Sequence, residues 1–453
     1  MYLLSLKSEG LAHLSYIIGN DSEMIVIDPR RDISEYCEIA ARKRVAITHV
    51  FETHRNEDYV VGSIPLAQRT GAKIWHGEQL PFLYGNAVKN GQVFEFDEFK
   101  LEVINTPGHT DESISIAIYD SEFGDEAVGV FTGDALFVGD VGRTDFFPER
   151  TEEVAANLYD SIFKGLLPLG DQALIYPAHG AGSVCGSGMA SREFSSLGYE
   201  RKFNPRLQLS RDEFIRVKTQ EHHYKPPYFA RMEKYNLEGA PSIDNSLLPP
   251  ISAQDVTKAL KNGAQLLDVR TPEAIAGLFI PGSIAMPSKM IPAYAGWLLD
   301  YDKDIILISD GDTPLDVAVT NLYRIGYDRI KGYLRDGIHG WTAAGKTFDN
   351  IPGVFVGDLM KRVESQEQLT ILDVRQVEEF EEGHLPGAMH LYLGYIPEQL
   401  DKVPRDQPII TFCGSGPRSL VAASILKRNG YKCVENCFGA LAACKQLNCK
   451  IVS

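Results

Sequence analysis

The sequence predicts three consecutive domains: a β-rich unit over residues 1–240, then two tandem α/β domains with parallel sheets over 251–347 and 350–453. Three observations carry this. The 453 residues, 44% hydrophobic and 23% charged, have an ordinary globular composition and are long enough for about three domains of roughly 150 residues. Residues 1 to about 200 alternate β-type runs with Gly, Pro and Asp punctuation. The remainder repeats itself at spacings of 103 to 105 residues, too long for a solenoid repeat.

Within the first unit, four β-type runs end in a potential metal ligand: 46 to His54, 100 to His109, 129 to Asp134 and 172 to His179. Four strand ends thus converge on one chemistry. Ser210-Arg-Asp-Glu213 has the form of a capping box, so a helix is expected to begin there and to end by Lys225-Pro226-Pro227. The turn-rich stretch 239–250 lacks helical or strand periodicity and reads as an interdomain linker. Beyond it, Leu266-Leu-Asp-Val-Arg270 recurs as Ile371-Leu-Asp-Val-Arg375, Ile280-Pro-Gly282 as Leu385-Pro-Gly387, and the strand before Ser309 as the strand before Cys413. In each copy short apolar strands alternate with helical segments, the pattern of a parallel sheet covered on both faces.

Lys and Arg total 45 against 61 Asp and Glu, and a net charge of -16 argues against nucleic acid or an anionic membrane surface as partner. No apolar run approaches the roughly 18 residues of a membrane span, and no basic stretch precedes the first apolar residues, so a cytoplasmic, unprocessed protein is expected. The seven cysteines are odd in number and unpaired in spacing, which points to reduced thiols; the five after residue 412 read mostly as packing.

Thr53-His54-Arg55-Asn56-Glu57-Asp58-Tyr59, Thr106-Pro-Gly-His109, Thr132-Gly-Asp134 and Tyr176-Pro-Ala-His179 resemble, in order, the ligand motifs of the metallo-β-lactamase superfamily, whose first motif is H-x-H-x-D-H. The resemblance implies an αββα metallo-β-lactamase sandwich with the site at one edge. Asn56 and Tyr59 replace two of the three histidines of that first motif, and an amide is a weak neutral ligand. His54, His109 and Asp134 survive, two imidazoles and one carboxylate, the set of a mononuclear non-haem iron(II) centre with open positions. The same choice is found in the persulfide dioxygenases, and Gly142-Arg-Thr-Asp-Phe146 resembles a sequence of that branch, which would bring Arg143 near the metal as a substrate-binding residue. Asp58 and His179 are then expected to orient ligands or water through hydrogen bonds. Cys185 is either a thiol near the site or an inert buried one.

Cys413-Gly-Ser-Gly-Pro-Arg418-Ser419 follows one strand and opens a helix, where backbone N–H groups and the macrodipole stabilise a nucleophilic thiolate. Gly414, Ser415, Gly416 and Ser419 form the cradle around it, and Arg418 is suited to an anion such as sulfite or thiosulfate. The C-x4-R spacing alone also fits cysteine-dependent phosphatases. The neighbouring Leu372-Asp-Val-Arg375 and Glu382-Gly-His-Leu-Pro-Gly387 resemble rhodanese motifs and decide for a sulfurtransferase, with Asp373, Arg375 and His384 structural. In the first copy Asp310 stands for the cysteine and Leu315 for the arginine, so that rhodanese-like domain is expected to be inactive, and its three acidic loop residues repel anions.

The whole resembles bacterial persulfide dioxygenase–rhodanese fusions. That implies one Fe(II) per chain, oxidation of a thiol persulfide (glutathione, coenzyme A, cysteine or similar) by O2 to sulfite, and sulfur transfer to sulfite through Cys413 to give thiosulfate. Two alternatives stay open at this point: a glyoxalase II-like binuclear zinc thioester hydrolase with an appended sulfurtransferase, and a non-enzymatic persulfide relay. Homo-oligomerisation is left open.

Overall fold

The computed structural model describes residues 1–183, 185–186, 188–243 and 247–453, so residues 244–246 of the expected linker lie outside the described residues. The chain divides into two compact units, Met1–Ile243 with Tyr323–Gly326, and the remainder.

The first unit is built on two six-stranded sheets. One begins as an antiparallel meander, Tyr2–Ser8, His13–Gly19 and Glu23–Ile27, and continues with Ala46–Phe51 and Lys73–Gly77 in parallel. The other is antiparallel through Val93–Glu95, Phe99–Asn105, Ile114–Asp120 and Gly129–Gly133, before Leu174–Pro177 adds in parallel. The inner faces meet in a core containing Tyr16, Ile18, Ile25, Ile27, Phe51, Leu101, Ile116, Ile118 and Phe131. Phe99–Asn105 buries Phe99, Leu101 and Val103 on alternate positions, as a strand with one face on the core should. Helices Ser34–Lys43 and Thr151–Asp160 pack their apolar sides outside the sheets, giving the expected αββα sandwich.

The strand ends fall where the sequence placed them. Ala46–Phe51, Gly129–Gly133 and Leu174–Pro177 stop one to three residues before His54, Asp134 and His179, and Phe99–Asn105 stops four before His109. The capping box also forms: Ser210 and Glu213 bond reciprocally at the start of helix Arg211–Gln220.

The second unit holds two five-stranded, all-parallel sheets of the same topology. Their central strands, Gln265–Asp268 with Ile305–Ile308 and Thr370–Asp373 with Ile409–Phe412, are buried at every residue, because helices cover both faces. At the end of each first strand a buried carboxylate takes a two-point ion pair from the arginine two residues on: Asp268 with Arg270, and Asp373 with Arg375. Arg375 also donates to the carbonyls of Glu379 and Gly383, which ties the loop together. His384 likewise donates locally, to the Phe380 carbonyl, and stacks on its ring. Among the described residues no helix is long and apolar enough to cross a membrane.

Candidate metal centre and thiol loop

His54 follows the strand Ala46–Phe51 in a turn held by a buried carboxylate. Asp28 accepts from the Thr53 amide (2.7 Å) and the Thr53 hydroxyl (2.8 Å). With its proton committed to Asp28, the Thr53 hydroxyl faces His54 Nδ1 at 2.9 Å as an acceptor, so the ring proton sits on Nδ1 and the Nε2 lone pair points inward. His109 is set the same way by a different partner: its Nδ1 donates to the Arg143 carbonyl at 3.0 Å. Both Nε2 atoms are buried without a hydrogen-bond partner.

Asp134 completes the group, its Oδ2 lying 3.6 Å from His54 Nε2 and 3.4 Å from His109 Nε2. Donors sharing one ion at about 2.1 Å stand roughly 3.0 to 3.5 Å apart, so this spacing, with two inward lone pairs and a carboxylate, fits a metal. Burial pushes His54 down to about 3, which keeps its imidazole neutral and able to ligate. Burial works against Asp134, but His179, His54 and His109 around it outweigh that and hold its carboxyl below the usual carboxylate range.

His179 is enclosed between two carboxylates, with Nδ1 2.8 Å from Asp134 Oδ1 and Nε2 3.1 Å from Asp58 Oδ2. Burial opposes its charge, yet the two carboxylates raise it well above the ordinary imidazole value. Asn56 turns its amide nitrogen to the His54 carbonyl at 3.2 Å, and the buried Tyr59 ring lies on His13 at 4.0 Å. The loop carrying these residues is clamped from the helix Phe229–Glu238: Asn236 donates to the carbonyls of Asn56 and Tyr59, both at 2.7 Å, and accepts from the Val61 amide at 3.0 Å.

Arg143 is fully buried, which rules out a surface ion pair. Its guanidinium is bound at two points by Asp145 (2.6 and 2.7 Å) and donates to the Tyr224 carbonyl, while its own carbonyl orients His109. The close approach needs Gly142, where a Cβ would stand 2.0 Å from the Asp134 carbonyl oxygen. Cys185 is buried, and its sulfur lies within 4.8 Å of ligand atoms of His109 and Asp134. Burial, reinforced by Asp58 and Asp134, pushes that thiol up well above its ordinary value. Glu57 was not singled out in the sequence, yet its buried carboxylate lies 3.4 Å from His109 Nε2. It sits at a variable position inside the motif, where residue type alone does not show which way it faces.

In the second unit, Cys413 follows the strand Ile409–Phe412 and precedes the helix Pro417–Arg428. Its Sγ accepts from the Gly416 amide at 3.1 Å and faces the Ser419 hydroxyl at 3.4 Å. Gly416 has φ 122°, which favours glycine and turns its N–H back onto the sulfur. Ser415 and Gly414 contribute carbonyls that accept from Gly439 and Ala442. Arg418 is bound at two points by Glu379, at 2.5 and 2.8 Å. A cavity of about 400 Å³ beside the loop is lined by Glu379, Gly414, Leu441 and Lys445. Tyr294, from helix Ile291–Leu298 of the preceding copy, packs on the core that contains Cys413. The equivalent loop of the first copy lines a cavity of about 370 Å³ with Asp310, Asp312 and Leu315, and holds no thiol.

Comparison with known proteins agrees with this division. Residues 9–179 match the model of the metallo-beta-lactamase superfamily, and residues 252–344 and 356–444 each match that of the rhodanese-like domain. A solved metallo-beta-lactamase from Staphylococcus aureus subsp. aureus COL is 32% identical, with a TM-score of 0.66 over 74% of this chain and 99% of that one. The mitochondrial persulfide dioxygenase ETHE1 of Bos taurus is 29% identical over 249 residues, 51% of this chain and 80% of its own. Hydroxyacylglutathione hydrolase GloC of Haemophilus influenzae is 26% identical over 215 residues, 43% of this chain and 91% of its own. The chain belongs to the metallo-β-lactamase superfamily, and two rhodanese-like domains follow that fold.

Proposed function

We propose that this chain is a bifunctional sulfur enzyme with a mononuclear iron(II) centre in its first domain and a persulfide-carrying Cys413 in its last. The domain boundaries 1–240, 251–347 and 350–453 belong to this reading. One observation carries it: two histidines of the binuclear motif are replaced, by an amide and a phenol, and His54, His109 and Asp134 remain as one converging donor set. Two imidazoles and one carboxylate are the donors of oxygen-using iron sites rather than of binuclear zinc hydrolases. The likeness to a persulfide dioxygenase supports the substrate class.

His54 and His109 would hold the ion through Nε2 and Asp134 through a carboxylate oxygen. Iron(II) there supplies the activation of O2 by which RSSH, O2 and water give RSH and sulfurous acid, ionised to sulfite. Asp58 and His179 hold Asp134 in place and keep a proton beside it. In the last domain the Cys413 thiolate attacks the outer sulfur of a second persulfide; the S–S bond breaks, the thiol leaves with the proton, and the sulfur stays on Cys413. The Gly416 amide and the Ser419 hydroxyl face that sulfur, and Arg418 would take the anion in exchange for Glu379. Sulfite then attacks the terminal sulfur, the Cys413 thiolate leaves, and thiosulfate is the product.

Metal analysis combined with O2 uptake on glutathione, coenzyme A and cysteine persulfides tests the reading. One iron per chain and loss of uptake in His109→Ala are expected. The likeness to a hydroxyacylglutathione hydrolase supports the second reading; two zinc ions per chain with thioester hydrolysis would establish it in place of the first.

A further inference from the structure

Glu57 occupies an unusual position for a carboxylate. Its side chain is fully buried, and neither oxygen has a hydrogen-bond partner. Buried carboxylates are costly unless a cation or donors compensate them, and an orphaned one in a native fold calls for an unseen partner. The groups facing it identify that partner's chemistry. A Glu57 oxygen and the ring nitrogens of His54 and His109 all lie within 4.8 Å of one another, and Oε2 is 3.4 Å from His109 Nε2. The two Nε2 atoms are themselves unpartnered, while each Nδ1 is engaged on the far side of its ring, by the Thr53 hydroxyl and the Arg143 carbonyl. Two ring nitrogens and a carboxylate converge here, a donor set suited to a metal ion.

The backbone explains why Glu57 faces inward. The Asn56 carbonyl is pinned by Asn236 and its amide by the His54 carbonyl, so the next side chain is directed back to the imidazoles. We infer that Glu57 is a fourth protein ligand, joining His54, His109 and Asp134 in a two-imidazole, two-carboxylate set. This rests on the mononuclear metal centre proposed above. The loss of a histidine at position 56 is then accompanied by a new donor one residue later. Two carboxylates match the charge of a divalent ion, and Glu57 takes one of the positions that a three-ligand site leaves open.

The test uses the full chain, stripped of metal and titrated anaerobically with Fe(II) against a chromophoric chelator, for the wild type, Glu57→Gln and Glu57→Asp. Far-UV circular dichroism and thermal melts of the same samples report that the first unit of each variant is folded. Glu57→Gln is expected to weaken Fe(II) binding by at least about tenfold to a hundredfold. X-ray absorption of the Fe(II) forms should show a changed oxygen ligand shell. Glu57→Asp, which keeps the charge but withdraws it by one methylene, should also bind more weakly than the wild type, and carries the test if the glutamine variant does not fold. Variants that bind within twofold of the wild type would overturn the inference. So would weaker binding with an unaltered shell, since a nearby charge acting through space predicts that result. A wild type that takes up no iron would overturn the metal centre itself, and the ligand with it.

Discussion

Arg418 and Glu379 are locked in a two-point ion pair, at 2.5 and 2.8 Å, on the loop that carries Cys413. The anion expected at Arg418 must therefore compete with a carboxylate already there. Burial pushes the Glu379 carboxyl up, but Arg418 outweighs it and keeps Glu379 ionised below the usual carboxylate range. Glu379→Gln is expected to lower KM for sulfite several-fold in a sulfurtransferase assay, because the arginine is freed. A raised KM with lower kcat would mean instead that Glu379 is needed to aim the guanidinium.

Cys413→Ser separates the two chemistries. Under limiting O2 the wild type should yield thiosulfate from persulfide and the variant sulfite, at a similar rate of O2 use. Covalent linkage raises the concentration of one site near the other and favours capture of sulfite before it escapes. Product analysis by ion chromatography checks this, and sulfite as the main product of both proteins would show independent domains.

Thr53 is the positioning residue for His54, since its hydroxyl links Nδ1 to Asp28. Thr53→Val keeps the shape and removes that link. Fe(II) affinity should fall about tenfold to a hundredfold while sulfur transfer at Cys413 is unchanged. Equal affinity in the two proteins would show that packing alone holds the ring.

Glu221 anchors the end of helix Arg211–Gln220, meeting Lys218 at 2.5 Å, Arg206 at 2.8 Å and His223 at 3.1 Å. Burial would push its carboxyl up, but the hydrogen bond from His223 and the charges of Lys218 and Arg206 bring it down to about 2. A folded-state value below the unfolded value near 4.3 contributes stability that is present above pH 4.3 and lost as pH falls toward 2. Glu221→Gln should cost on the order of 2–3 kcal/mol at pH 7. Thermal melts should show the gap between the two proteins closing progressively below pH 4.

The tandem repeat and the four strand ends that carry potential ligands were legible in the sequence because both are local. A repeated strand motif builds the same sheet wherever it recurs, and a ligand's chemistry travels with its residue type. Thus Asp310 in place of Cys413 announced a loop without a thiol, and the two sheets of the second unit share one strand order. The capping box at Ser210 and Glu213 was readable for the same reason, its partners being three residues apart.

Direction and partnership were decided only by the tertiary structure. His109 takes its orientation from a carbonyl 34 residues away, and Asn56 is pinned by Asn236 across 180 residues. Arg143 appeared in the sequence as a substrate-binding cation, but Asp145 and the Tyr224 carbonyl already occupy its guanidinium, and its carbonyl is what reaches the centre. Glu379 lies 39 residues from Arg418, and Tyr294 comes from another copy of the repeat. Glu57 shared a motif with the expected ligands, yet nothing in a residue's type tells whether its carboxylate faces water or two imidazole lone pairs. Residue types and their order determine which donors and acceptors a chain possesses. Which of them meet depends on long-range packing that desolvates both partners together, and that is a property of the folded chain.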